Sequence, residues 1–96
     1  MRKVRLHPQA EAEMTEAAVY YESRQEDLGK RFLASVQDAI NGIVINPRLY
    51  PVIDLDVRRC LTKVFPFGVL FRLSDDEITV VAVMHLSRHP DYWKGR

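Results

Sequence analysis

Apolar residues in the first half of the chain recur with a helical period. After Pro8, one stripe repeats at spacings of four, three and four residues: Ala10, Met14, Ala17 and Tyr21. A second stripe follows Asp27-Leu28-Gly29 with the same period: Phe32, Val36, Ala39, Ile40 and Ile43. Each stripe is typical of one face of an amphipathic helix. The pattern predicts a first helix from Pro8 to Gln25, with its glutamates on the other faces, and a second helix that ends at Asn46-Pro47. The short connection, with Asp27 as the cap and Gly29 in the turn, predicts an antiparallel helical hairpin.

The other apolar runs are typical of strands. Lys3 to Leu6 alternates charged and apolar residues, which predicts a short strand with Val4 and Leu6 facing inward. Three runs rich in β-branched and aromatic residues predict three later strands: Val57–Lys63, Phe67–Leu73 and Ile78–Met84. Bends at Val64-Phe65-Pro66 and a hairpin turn at Ser74 to Glu77 separate them, and the proline and aspartates of Leu49–Asp56 indicate a surface loop.

The order of these elements predicts an α+β fold. An N-terminal strand is followed by an antiparallel helical hairpin and then by a three-stranded antiparallel sheet. The partner of the first strand is left open, because sequence does not define strand register. With 96 residues, the chain is too short to divide into two cores, so residues 1–96 are predicted to form a single domain.

Composition narrows the class of protein. A hydrophobic share of 47% and a charged share of 28% are typical of a soluble globular protein. Cys60 is the only cysteine, which excludes an intramolecular disulfide and a zinc-binding cysteine cluster. No run approaches the roughly 20 apolar residues of a membrane helix. We therefore expect a cytoplasmic protein with no membrane partner, no metal and no cofactor.

The charge distribution is more informative than the total. The net charge of +1 argues against a general nucleic-acid-binding protein. Residues 1–56 nevertheless hold seven basic and nine acidic side chains, whereas residues 57–96 hold seven basic and four acidic ones. The positive end of the molecule is therefore expected in the C-terminal half.

The last predicted strand leads directly into titratable, cationic and aromatic residues. Strand ends place such side chains together at one edge of a sheet. We predict a target-binding surface there, formed by these residues and by cations of the preceding strands: Arg59, Lys63, Arg72, His85, Arg88, Tyr92 and Trp93. If the chain instead cleaves RNA, the candidate catalytic residues are His85, Arg88 and Tyr92, because that reaction needs proton transfer and cations around the phosphate.

Each of these residues also has a purely structural interpretation. His85 is expected to hydrogen-bond to backbone at the strand end, and Arg88 to form a bidentate pair with Glu22 or Asp91. An aromatic pair such as Tyr92 and Trp93 commonly folds back over the edge of a core. Arg58 and Arg59 point to opposite faces of their strand, so at most one of them shares the face of Lys63.

Short motifs spread over nearly the whole chain resemble the RelE/ParE superfamily of small bacterial toxins. Their order and spacing carry the resemblance more than any one of them does. They are Tyr20-Tyr21-Glu22, Leu28 to Phe32, Asn46-Pro47, Tyr50-Pro51, Arg58-Arg59, Phe65-Pro66-Phe67, Ala82-Val83, His85, Arg88, Pro90 and Trp93.

This resemblance implies the toxin of a type II toxin-antitoxin system, a growth inhibitor held inactive by a cognate antitoxin in a hetero-oligomer. The Tyr-Tyr-Glu, Asn-Pro and Phe-Pro-Phe motifs are most similar to the branch named ParE or plasmid stabilisation, whose members inhibit DNA gyrase without enzymatic activity. The apolar strip near Tyr20 and Tyr21, of which one is expected at the rim of the core, is where an antitoxin segment would dock.

Two other functions stay open. RelE-like members enter the ribosome and cut mRNA, but they carry a lysine-rich central strand that this chain lacks. A third possibility is a non-toxic homologue that only binds an antitoxin.

Overall fold

Two helices follow a first strand, and four further strands follow the helices, in the computed structural model, which describes residues 2–96. The elements are β1 (Lys3–Leu6), α1 (Pro8–Arg24), α2 (Leu28–Ile45), a 3-10 turn (Pro47–Leu49), β2 (Val52–Asp54), β3 (Val57–Leu61), β4 (Phe67–Leu73) and β5 (Glu77–His85). The predicted α+β class is confirmed, and both helices begin and end within one or two residues of their predicted bounds.

The helical stripes read from the sequence are the buried faces of the helices. Ala10 is fully buried, and the other members of the first stripe pack partly buried against the main core. All five apolar members of the α2 stripe are buried. Pro8 occupies the first turn of α1, where its missing N–H is not needed.

The junction between the helices differs from the prediction. Asp27 lies at the N-cap of α2 with φ 67°, but its side chain makes no capping hydrogen bond. Glu22 of α1 provides the cap instead, because its carboxylate accepts from the backbone N–H groups of Asp27 at 2.9 Å and Gly29 at 3.0 Å. Gly29 lies inside the helix rather than in a turn. A Cβ there would stand 2.5 Å from the carbonyl oxygen of Ala18, so the helices approach through this glycine.

Residues 2–96 form a sheet of five strands in the order β1-β5-β4-β3-β2. The structure defines the partner that the sequence left open: β1 runs parallel to β5, with Leu6 opposite Val80, and every other pair is antiparallel. β1 is thus an edge strand, and Val4 is 36% exposed rather than inward-facing. Leu6 does pack against the core, as predicted.

The segment predicted as a loop contains two elements. Pro47–Leu49 forms the 3-10 turn, and Val52–Asp54 pairs with β3 as the second edge strand, so the predicted three-stranded sheet is corrected to five strands. The strand β3 ends at Leu61, two residues before its predicted end, and this leaves Lys63 in the following loop.

Both faces of the sheet bury apolar side chains. The inner face packs against α1 and α2 through a cluster that includes Phe32, Phe67 and Phe71. The outer face carries a second cluster with no helical member: Val57, Leu70, Val81, Ala82, Met84 and Trp93. Residues 86–96, here called the C-terminal segment, supply Trp93 and thus cover part of the outer face.

Candidate functional site

The C-terminal segment is held by an aromatic anchor. Trp93 is only 2% exposed and packs with Leu70 and Met84 on the outer face of the sheet. This is the fold-back arrangement that the sequence offered as an alternative. The indole therefore positions the segment, and its face is not presented at the surface.

A buried ion pair fastens the end of the segment to α1. Arg96 donates to Glu13 through two hydrogen bonds, of 2.8 and 3.0 Å, and the two side chains are 7% and 12% exposed. These bonds, which stabilise the charged form, raise the pKa of Arg96 above its usual value. The geometry is the two-pronged match of a guanidinium and a carboxylate.

The same two side chains also bind the open edge of β5. β1 ends opposite Val80, so among residues 2–96 this edge of β5 has no strand partner beyond that point. There Glu13 accepts from the N–H of Val83 at 3.1 Å, and Arg96 donates to the carbonyl of Val81 at 3.1 Å. Sequence reasoning missed both residues, since it placed Glu13 with the other glutamates on the faces outside the apolar stripe. One signal was present: Glu13 lies three residues after buried Ala10 and four before Ala17, at the margin of the apolar stripe.

Arg88 and Arg96 lie against the ring of Tyr92. Their guanidinium carbons are 4.9 and 5.0 Å from the ring centroid, within the range of cation-π attraction. Among the described residues, Arg88 does not form the predicted pair with a carboxylate. Glu22 caps α2, and Asp91 instead lies 2.8 Å from Lys94, whose hydrogen bond lowers the pKa of Asp91.

His85 has the hydrogen bonds of a structural histidine. Its Nδ1 lies 3.0 Å from the backbone nitrogen of Ser87 and 2.7 Å from the Ser87 hydroxyl, and its ring packs edge-on against Phe67. A backbone N–H can only donate, so Nδ1 accepts this hydrogen bond from Ser87.

Two grooves lie on either side of Arg88. The inner groove, between α1, β5 and the C-terminal segment, encloses about 450 Å³. It is lined by Glu13, Glu16, Ala17, Tyr20, Tyr21, Phe67, Val83, Met84, His85, Arg88 and Tyr92. Tyr21 faces the core and Tyr20 is 53% exposed, as the sequence predicted for one core and one rim tyrosine.

The outer groove lies on the outer face of the sheet beside Trp93 and encloses about 280 Å³. Its lining is Ile53, Asp54, Arg59, Leu70, Met84, Leu86, Arg88, Pro90, Asp91 and Trp93. Lys94 joins the two acidic residues of its rim, with its Nζ 2.8 Å from both Asp54 and Asp91.

The structure brings together only part of the predicted surface. His85, Arg88 and Tyr92 share the inner groove, and Arg59, Arg88 and Trp93 share the outer groove. Lys63 and Arg72 lie elsewhere.

Lys63 is in the loop after β3, where Ser35 of α2 donates to its carbonyl oxygen. Arg72 is opposite Thr79, six positions before His85 along β5, which corresponds to about 20 Å at the strand rise of ~3.3 Å per residue. Its guanidinium binds Asp56 and the backbone oxygen of Arg96.

Two further findings concern residues 2–96. Within them, no group of three or more His, Cys, Asp or Glu side chains is placed to hold a metal ion. None of the helices described is both long and apolar enough to cross a membrane.

Comparison with known proteins identifies a matching family model and a solved structure of similar fold. The family model described as "ParE toxin of type II toxin-antitoxin system, parDE" matches residues 4–90. Among solved structures, a chain from P. aeruginosa titled "Chromosomal ParDE TA system from P. aeruginosa" aligns with a TM-score of 0.64 and 19% identity, over 88% of this chain and 96% of that chain. At this identity the structural likeness shows a shared fold. The search of curated proteins finds no match.

Proposed function

Because this chain belongs to the ParE toxin family of type II toxin-antitoxin systems, we propose that it arrests growth by binding DNA gyrase and that a cognate antitoxin neutralises it. The family membership confirms the resemblance read from the sequence motifs. The gyrase target, the cytoplasmic location, a role in plasmid stabilisation and the neutralising hetero-oligomer belong to the proposal.

The observation that carries the proposal is the placement of the cations and of His85. RNA cleavage through the 2′-hydroxyl requires a base, an acid and several cations around one phosphate. Here Lys63 and Arg72 lie away from His85, and the Nδ1 of His85 accepts from Ser87. This arrangement favours recognition of a protein over cleavage of RNA.

We propose that the target-binding surface lies around Arg88, where the inner and outer grooves meet. Arg88 is exposed and borders both grooves, and Tyr92 is 39% exposed beside it. Arg59 extends the surface across the outer face. Trp93 contributes by holding the C-terminal segment in place. The inner groove, with its exposed Tyr20, is the proposed site for an antitoxin segment.

Inhibition of gyrase supercoiling by the purified chain tests the proposal. We expect supercoiling to be blocked, and Arg88→Ala to weaken the inhibition by at least about tenfold, because a charged contact typically contributes 1.5–3 kcal/mol. Arg31→Gln is the matched control, since Arg31 is an exposed arginine of α2 outside both grooves. Its inhibition should equal that of the unchanged protein.

A parallel assay decides between the alternatives. Primer extension on ribosome-bound mRNA should show no new 5′ ends when the chain is added. New ends together with unaffected supercoiling would replace the gyrase proposal with the nuclease function. Harmless expression without the antitoxin, with no effect in either assay, would identify a non-toxic antitoxin-binding homologue.

A further inference from the structure

We propose that the outer groove is a docking site for a protein segment that carries one carboxylate flanked by apolar side chains. This inference deepens the proposed function, because it names the chemistry of the partner at the surface around Arg88. Three features of the groove support it: its free guanidinium groups, its apolar lining and the acidic residues on its rim.

The groove contains two guanidinium groups without a carboxylate. Among residues 2–96, three other basic side chains of the outer face and C-terminal segment are paired: Arg72 with Asp56, Lys94 with Asp54 and Asp91, and Arg96 with Glu13. Arg59 and Arg88 have no acidic oxygen within 4.0 Å in this part of the chain. A guanidinium has a planar fork of donors that matches a carboxylate. The partner is therefore expected to supply the acidic group.

The side chain of Arg59 can lie flat on the sheet because the residue beneath it is a glycine. Its stem lies over Gly68 of the neighbouring strand, where an added Cβ would stand 3.1 Å from the Cδ of Arg59. The strand pairing puts Arg59 opposite Leu70, which also lines the groove. The stem of Arg59 thus lies along the outer face of the sheet, over Gly68.

The floor and walls of the groove are apolar. Leu70, Met84 and Trp93 form its buried part, and two partly exposed aliphatic residues rise at the sides, Ile53 at 37% and Leu86 at 47% exposure. The volume of about 280 Å³ is just below the roughly 300–1,000 Å³ of pockets that enclose small ligands. The groove fits one or two side chains inserted from a larger partner.

The rim disfavours a nucleic acid as the occupant. A nucleic-acid strand needs a track of cations for its successive phosphates. Here Asp54 and Asp91 border the groove, and Lys94 between them already binds both. The net charge of the whole chain is only +1. A single carboxylate finds two guanidinium groups in this groove, whereas each further phosphate of a polyanion would meet the acidic rim instead of another unpaired cation of the lining.

Titration of the 15N-labelled full chain with short probes tests the site directly. The probe is the peptide acetyl-Ala-Leu-Glu-Leu-Ala-amide at millimolar concentration, with the Gln-containing peptide as the matched neutral control and oligothymidylate as the nucleic-acid probe. The signals to follow are the side-chain Nε–H groups of Arg59 and Arg88 and the indole N–H of Trp93. We expect the Glu peptide to shift all three and the Gln peptide to shift them much less.

Two variants make the result specific to the groove. Arg59→Gln should weaken binding of the Glu peptide about tenfold, consistent with loss of a charged hydrogen bond. Arg31→Gln should leave it unchanged. Circular dichroism of both variants verifies that the fold is retained.

Three results would overturn the inference. They are no shift of these signals with the Glu peptide, equal shifts with the Glu and Gln peptides, or tighter binding of oligothymidylate at the same signals. None of them depends on gyrase. If the titration fails while gyrase inhibition is intact, only the docking-site inference is contradicted. If the titration succeeds without gyrase inhibition, only the proposed gyrase target is contradicted.

Discussion

Glu13 and Arg96, 83 positions apart in the chain, form a two-bonded ion pair that closes the C-terminal segment onto the first helix. The pair also satisfies an N–H and a carbonyl of β5 beyond the end of β1, where no other strand of residues 2–96 pairs with that edge. These two side chains thus make hydrogen bonds to β5 that a neighbouring strand would otherwise make. Arg96 stacks on Tyr92, and Tyr92 stacks on Arg88. The Glu13–Arg96 pair therefore helps to position Arg88, which lines both grooves.

Removing one charge of this pair should destabilise the protein strongly. Glu13→Gln or Arg96→Met removes one charge of the pair and leaves the other largely buried without its counter-charge. Breaking a fully buried pair costs about 3–5 kcal/mol, so at this slightly exposed site we expect a loss of about 2–4 kcal/mol in the free energy of unfolding. Urea denaturation followed by circular dichroism measures it.

A double-mutant cycle isolates the pair. The double variant E13Q/R96M should lose less than the sum of the two single variants, with a coupling of about 1–3 kcal/mol. Lys30→Met is the control, because Lys30 forms an exposed ion pair with Asp27, with side chains 82% and 64% exposed. Its effect should stay below about 1 kcal/mol. Additive effects of the two single changes would show that Glu13 and Arg96 stabilise the fold independently.

Trp93 should be the main apolar anchor of the C-terminal segment. Trp93→Ala removes a buried indole from the outer cluster, and truncation of a buried Trp costs about 3–5 kcal/mol. Trp93→Phe keeps most of the contact area and should lose less. Urea denaturation followed by far-ultraviolet circular dichroism compares the variants without using tryptophan fluorescence. A loss below about 1 kcal/mol for Trp93→Ala would mean that the segment is held chiefly by its ion pairs.

Gly29 should not tolerate even a methyl group. Alanine is the better helix former by about 1 kcal/mol. However, its Cβ would stand 2.5 Å from the backbone oxygen of Ala18 and force the helices apart. We expect Gly29→Ala to lower the free energy of unfolding by a net amount of about 2 kcal/mol, as overpacking typically does.

The exposed Ala34 of the same helix provides the opposite case. Ala34→Gly should cost about 1 kcal/mol from helix propensity alone. Thermal or urea unfolding of both variants checks the prediction. A gain in stability for Gly29→Ala would contradict the close helix approach.

Cys60 should be unreactive, and it should make the protein less stable at alkaline pH. Burial raises the pKa of its thiol, so the folded state keeps the proton that the unfolded state loses above about pH 8.5. The unfolded state then binds fewer protons, and the free energy of unfolding falls as pH rises beyond that value. Modification by a disulfide reagent should be slow in buffer and fast in denaturant.

The control for this pH dependence is Cys60→Ala. Its stability should fall less steeply between neutral and alkaline pH. Part of the decline should persist, because burial also raises the pKa values of Tyr21 and Tyr50. An unchanged slope would show that the thiol does not contribute.

Sequence patterns located the repeating elements more reliably than the irregular ones. β4 has the bounds that were predicted, since Phe67 to Leu73 is flanked by clear turn residues. β2 was missed because three residues are too few to show a period of two, and its pairing with β3 is what makes it a strand. Val4 was expected to face inward because alternation reveals two faces but not that β1 lies at the edge of the sheet.

The candidate site shows the same division. Its location at the end of β5 followed from the sequence, since His85, Arg88 and Tyr92 are close in the chain. Glu13 and Arg96 were not found, because no local pattern links residues that far apart. Arg59 and Lys63 were expected on the same strand, but β3 ends at Leu61 and Lys63 lies in the loop that follows it.

By itself the sequence determined the two helices, their buried faces, the β4–β5 hairpin and the family, because each depends on spacings between neighbouring residues. Only the tertiary structure decided the parallel β1–β5 pair, the fold-back of Trp93, the Glu13–Arg96 pair and the division of the surface into two grooves around Arg88. The physical reason is that strand register and the pairing of distant charges minimise the free energy of the whole packed chain, and no short segment encodes them.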